Sequence, residues 1–183
     1  MDWMKKVAVA LVCLLPLSLQ AAKVDTLQVK SPSMNKSIEV VVVSPDVAAT
    51  KACPVIYLLH GYGGNARTWV GIKPDLSKIA DEKGIFFVCP DGKNTWYWDS
   101  PLNTDVRYET FISNELVKYV DSRYKTVADR KGRVITGLSM GGHGAMWNGL
   151  RHSDVFSAAG STSGGVDIRP FPKNWEMSAQ IGE

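Results

Sequence analysis

Charge of one sign is what this sequence has least of: over 183 residues, 21 basic side chains stand against 18 acidic ones, a net charge of +3. No basic run or stripe of the kind that tracks phosphates is present, so nucleic acid is not an expected partner. Long apolar runs are scarce as well. One, Val7 to Leu19, is broken by Pro16 and falls short of the about 20 residues a membrane helix needs, which argues against a permanent anchor. Lys5 and Lys6 precede it and the small residues Ala21 and Ala22 follow, so residues 1–22 read as a secretory signal peptide cleaved near Ala21 or Ala22. The mature protein is then expected to be soluble, in the periplasm or outside the cell. Cys13 has no small residues just before it, so a lipid-anchored cysteine is not expected.

Only three cysteines occur, and cleavage leaves Cys53 and Cys89. An oxidising compartment would permit a bridge between them. However, Cys53 precedes one predicted strand and Cys89 ends another. A parallel sheet would hold them a strand apart, about 5 residues at about 3.3 Å each, beyond the roughly 7 Å Cα limit for a disulfide. Both are expected to stay free. There is no internal repeat, low-complexity tract or linker before Gly164, and 45% apolar with 21% charged residues is an ordinary globular composition. One domain over 23–183 follows.

What is present alternates between two periods. Asp25 to Lys30 and Lys36 to Ser44 read as strands joined by a hairpin turn at Ser31-Pro32-Ser33-Met34-Asn35. Pro54 to Leu59 and Ile85 to Cys89 are continuous apolar runs, as expected of strands buried on both faces of a parallel sheet. Between them Pro74 to Lys83 has helical spacing and stops at Gly84. Tyr108, Phe111, Ile112, Leu116, Tyr119 and Val120 mark one face of a long helix. Arg133 to Thr136 is the next strand, Ala145 to Arg151 a helix, and Phe156 to Ala159 the start of one more strand. The class is α/β: an open, mostly parallel sheet flanked by helices, with ligands at the strand carboxyl ends.

The chemistry is concentrated at two strand ends. Gly137-Leu138-Ser139-Met140-Gly141 is a G-x-S-x-G motif that follows a strand and opens a helix, the context of an α/β-hydrolase nucleophile elbow. A serine hydroxyl is a poor nucleophile and must be presented on a sharp turn; glycines two residues either side leave room for it. The run has neither the Lys-Ser/Thr of a phosphate loop nor the spacing of a dinucleotide fingerprint. His60-Gly61-Tyr62-Gly63-Gly64 ends an earlier buried strand, where such a fold supplies one backbone donor of the oxyanion hole. Tyr62 N–H is the candidate for that donor and Met140 N–H for the other. His60 reads as a structural hydrogen-bonder rather than the base. Trp96 and Trp98 lie on a loop after a strand carboxyl end and could line an acyl or sugar pocket or, equally, anchor the loop.

These blocks, with Pro90-Asp91-Gly92, Trp96-Tyr97-Trp98-Asp99-Ser100-Pro101, Tyr108-Glu109-Thr110-Phe111 and His143-Gly144-Ala145, resemble the putative-esterase family over about Val29 to Trp175. That family includes esterase D or S-formylglutathione hydrolase, tributyrin esterase, the feruloyl and acetyl xylan esterases and the mycobacterial mycolyltransferases. The resemblance implies the α/β-hydrolase fold, a serine acyl-enzyme, and a triad running Ser, Asp, His, with acid and base on later strands and loops. After Ser139 the only histidines are His143, which matches a non-catalytic position of the elbow motif, and His152. The second is about 13 residues and roughly 20 Å along a helix from the serine. The expectation is therefore a chain without its C-terminal strands, triad acid and base, poorly active as it stands, with an open sheet edge near Phe156. No metal ion or organic cofactor is implied. A secreted location directs the expected substrate towards acetyl or feruloyl esters of carbohydrates. Acyl transfer to a sugar and non-catalytic carbohydrate binding are the alternatives.

Overall fold

The computed structural model describes residues 22–171 and 173–182. The expected leader lies outside the described residues except for Ala22. No helix among the described residues is long and apolar enough to cross a membrane.

Strands β1 (Lys23–Ser31) and β2 (Lys36–Ser44) form an antiparallel hairpin around the predicted turn, where Asn35 takes a left-handed φ of 49°. With β3 (Val55–Leu59), β4 (Phe86–Pro90), β5 (Arg133–Gly137) and β6 (Ala158–Ala159) they build one sheet in the order β1-β2-β4-β3-β5-β6. β2 meets β4 antiparallel, and β4, β3, β5 and β6 are mutually parallel. Successive side chains point to opposite faces of a strand, and this explains the uninterrupted apolar runs. Ile38, Val40 and Val42 enter the core on one face, Val41 and Val43 that on the other. Tyr57 and Leu59 of β3 likewise join the first core and Leu58 the second.

Helix α1 (Thr68–Ile72) and α2 (Leu76–Lys83) follow β3, and α2 seals the second core through Leu76 and Ala80 before Gly84, at φ 64°, ends it. The first core is closed by α3 (Tyr108–Thr110), a π-helical stretch Phe111–Leu116 and α4 (Val117–Arg123), with Phe111, Ile112, Leu116 and Val120 fully buried. Helix α5 (Met140–Arg151) lies on the same face through Met140 and Ala145. It begins five residues before the expected Ala145, because the glycines that lower helix propensity are the ones that let it approach β3. β6 is shorter than expected: Phe156 leaves the strand to pack edge-on against Tyr57, ring centroids 5.7 Å apart. Helix α6 (Met177–Ile181) is pinned by buried Met177 and by Ser100 Oγ, which donates to the Gln180 carbonyl. Cys53 and Cys89 are free and buried, and burial pushes both thiols up.

Candidate active site

Adjacent strands bring the two motifs together. Leu59, the last residue of β3, pairs in register with Gly137, the last of β5. The chain therefore leaves the sheet at His60 and at Leu138 side by side, at the carboxyl edge where the strand order reverses direction and ligands of such sheets bind.

Ser139 stands exposed at the turn between β5 and α5 with φ 53° and ψ −116°. A non-glycine residue in so sparsely populated a region costs about 1–3 kcal/mol and persists only where its surroundings over-determine it. Here Leu138 N–H donates to Leu59 O at 3.2 Å and Ser139 N–H to Thr162 O at 2.8 Å, while Gly141 and His143 N–H begin the helix on the carbonyls of Leu138 and Ser139. The flanking glycines are fixed by contact: a Cβ at Gly137 would lie 2.3 Å from Gly141 O, and one at Gly141 2.2 Å from Leu59 O. A Cβ on Gly61 would sit 3.5 Å from that of Ser139, so the His60–Gly64 loop runs directly past the serine.

Two backbone donors remain beside it. Among the described residues neither Tyr62 N–H nor Met140 N–H, the first amide of α5, has a hydrogen-bond partner. Gly63 N–H is taken by Asn94 Oδ1 at 2.8 Å and Gly64 N–H by Gly61 O at 3.0 Å. Tyr62 and Ser139 line one cavity of about 170 Å³, with Trp96 and, from the segment after Gly164, Phe171, Trp175 and Met177. Trp96 Nε1 donates to the Trp175 carbonyl at 3.1 Å, fastening that segment over the serine. Of the two tryptophans singled out in sequence, Trp96 reaches this cavity. Trp98 stacks behind it, centroids 5.7 Å apart, and donates Nε1–H to His143 Nε2 at 2.9 Å.

None of the three histidines bonds Ser139. Nε2 of His143 accepts from Trp98, and its Nδ1 lies 2.7 Å from the Gly165 carbonyl, so the neutral Nδ1–H tautomer fits both partners. Burial pushes this imidazole below its ordinary value, against the Gly165 carbonyl. His60 is buried, with Nε2 on Gly92 N–H and Nδ1 on Gly61 O. His152 Nε2 lies 2.8 Å from Glu109 Oε1, on the far end of α5. Asp167 lines the serine cavity but is held down to about 2 by Arg169, which grips both its oxygens at 2.7 Å. No group of three or more His, Cys, Asp or Glu among the described residues could hold a metal.

Towards the far end of α5, Glu109 accepts from Trp147 Nε1 at 2.7 Å and Arg151 Nε at 2.8 Å as well as from His152, tying α3 to α5. Burial would raise this carboxyl, but Arg151, Trp147 and His152 outweigh it and hold it below its ordinary value. Its stabilisation is therefore complete above that ordinary value and is lost as acid carries the pH through the lowered one. Glu109→Gln is expected to cost about 2 kcal/mol in urea unfolding at pH 7, with the gap to the unaltered chain closing in strong acid; a gap independent of pH would refute the charged role.

The putative-esterase family matches residues 31–180. Esterase Rv1288 of Mycobacterium tuberculosis H37Rv is 30% identical over 149 residues, which are 78% of this chain and 32% of the relative. The acetyl esterase of Caldicellulosiruptor saccharolyticus is 32% identical over 102 residues, 55% of this chain and 37% of its own. The chain thus spans about a third of the length of these relatives. A solved ferulic acid esterase superposes with a TM-score of 0.73 at 30% identity, covering 88% of this chain and 68% of that one.

Proposed function

The chain belongs to the putative-esterase family and has the α/β-hydrolase fold, and from that premise we propose that it cleaves carboxylic esters through an acyl-enzyme on Ser139. The observation that carries this reading is a strained, exposed serine flanked by two unpartnered amides, Tyr62 N–H and Met140 N–H. In the reaction, Ser139 Oγ adds to the ester carbonyl and passes its proton to a base. The negative charge collects on the former carbonyl oxygen, where two fixed N–H groups stabilise it without reorganising, each worth about 3–4 kcal/mol. Expulsion of the alcohol leaves the acyl-serine, and water then attacks it through a second oxyanion in the same place. Ser139's strained conformation favours this reading over non-catalytic carbohydrate binding, which does not require it. The acceptor, water or a sugar hydroxyl, decides between hydrolysis and transfer.

The substrate class is acetyl or feruloyl esters of carbohydrates. Its supports are the relatives' own activities, the aromatic lining of Trp96, Phe171 and Trp175, and the leader expected over 1–22. The test is covalent capture. A fluorophosphonate should label the folded chain at Ser139, slowly because the two amides act there without a histidine beside the hydroxyl, as found by peptide mass spectrometry, and should label neither the heat-unfolded chain nor Ser139→Ala. Labelling of the folded chain at other serines only would sink the assignment.

A further inference from the structure

Gly61 to Gly64 form a β-turn, closed by Gly64 N–H on Gly61 O at 3.0 Å, with Gly63 at φ 75° in the third position, as a type II turn requires. The amides of the second and third residues have no partner inside such a turn. Asn94 takes the Gly63 amide, and of the two the Tyr62 amide alone is left without a partner, in a residue that lines the serine cavity. In a trans peptide the C=O and N–H point in opposite directions. Whatever holds the Gly61 carbonyl therefore decides where Tyr62 N–H points.

The shorter of its two contacts is to His60 Nδ1, at 2.7 Å. We propose that His60 is a positioning residue for the ester chemistry: its ring, locked as the Nδ1–H tautomer, clamps the Gly61 carbonyl and so aims Tyr62 N–H at the oxyanion site. The inference rests on the roles proposed above for Ser139 and Tyr62. The tautomer follows from the other nitrogen, because Nε2 accepts Gly92 N–H at 2.9 Å and cannot carry a proton while doing so. Asp91 Oδ1 lies 3.5 Å from Nε2, but that carboxylate is engaged by Lys93 N–H at 2.9 Å and Lys93 Nζ at 2.6 Å. The ring cannot swing away. A Cβ on Gly64 would come within 2.8 Å of Nδ1, the Tyr97 ring stands edge-on at 5.8 Å, and Tyr97 Oη donates to the His60 carbonyl at 3.1 Å.

Two substitutions separate clamping from packing. In His60→Asn the amide nitrogen falls where Nδ1 was and can still donate to Gly61 O, while the Gly92 contact is lost. In His60→Gln the amide oxygen reaches the place of Nε2 and keeps Gly92, while the clamp is lost. With a fluorophosphonate on the 183-residue chain, His60→Gln is expected to melt close to the parent and to lower the inactivation rate constant at Ser139 roughly 10- to 100-fold, its apparent affinity unchanged. His60→Asn should keep that rate within about threefold while melting lower. Parallel losses of rate and melting temperature in both variants would reduce His60 to a packing role and overturn the proposal. Nitrogen-15 NMR of the parent ring should show Nδ1 protonated and Nε2 bare, and an imidazolium or an Nε2–H ring would also overturn it. If the parent is not labelled at Ser139 at all, the proposed function fails. The clamp is then judged by the ring tautomer and by the Tyr62 amide resonance, which should move in His60→Gln and not in His60→Asn.

Discussion

Ser139→Ala is expected to cut p-nitrophenyl acetate turnover by about 10⁴ to 10⁶ in a form of this protein in which an acid and a histidine complete the triad with the serine. The 183-residue chain itself is expected to turn the ester over poorly. Its three histidines are engaged by Gly92 and Gly61, by Trp98 and Gly165, and by Glu109, so none of them is placed to take the Ser139 proton during attack. The amides of Tyr62 and Met140 and the aromatic cavity then act alone, a contribution of about 10³ to 10⁴ over water in enzymes of this type. Progress curves should be read with circular dichroism on the same samples, so that unfolded material is not scored as inactive. Robust turnover by the short chain, lost on His143→Ala, would show that this ring moves to serve as the base.

Gly141→Ala is expected to cost about 4 kcal/mol or more, or to prevent folding altogether. The new methyl would lie 2.2 Å from Leu59 O, 2.5 Å from Leu59 C and 2.6 Å from His60 O. All three are backbone atoms of the central strand and the loop that leaves it, so no side chain can swing aside. Relief requires α5 to lift off β3, which would also part Ser139 from Tyr62. A domain's whole stability is about 5–15 kcal/mol. Gly71→Ala in α1 is the control, because nothing lies within 4 Å of its added Cβ, and it should be neutral or slightly stabilising. A Gly141→Ala chain with an unchanged urea midpoint would refute the close approach.

The sequence was most legible where burial is two-sided. Val40 to Val43, Val55 to Leu59 and Phe86 to Cys89 are apolar without a break because two cores enclose the sheet. The elbow was legible because its glycines answer backbone contacts that any fold with this turn must make. Helix α1 was not: none of its residues is buried, so its sequence carries no periodicity. The wall over the serine was also hidden. Phe171, Trp175 and Met177 reach the cavity through left-handed residues at Ser163, Trp175 and Glu176, and local preference gives no warning of non-glycine residues there. The separate fates of Trp96 and Trp98 turn on positive φ at Trp96 and Tyr97, which neighbouring residues alone do not dictate. The aromatic residues clustered after Gly164 were the one available hint.

The pairing of Leu59 with Gly137 also governs when during folding the chemistry becomes possible. The two amides beside Ser139 belong to segments far apart in the chain, and they meet only once β5 has docked parallel to β3. Parallel pairing of this kind closes a long loop before any contact rewards it, and such steps are slow. Helices α2 and α4 can form early from local contacts, but a chain that has gained them still has an ordinary serine. Capture of Ser139 by a phosphonate thus reports completion of the central sheet, and in a refolding experiment it would lag behind the return of helical signal.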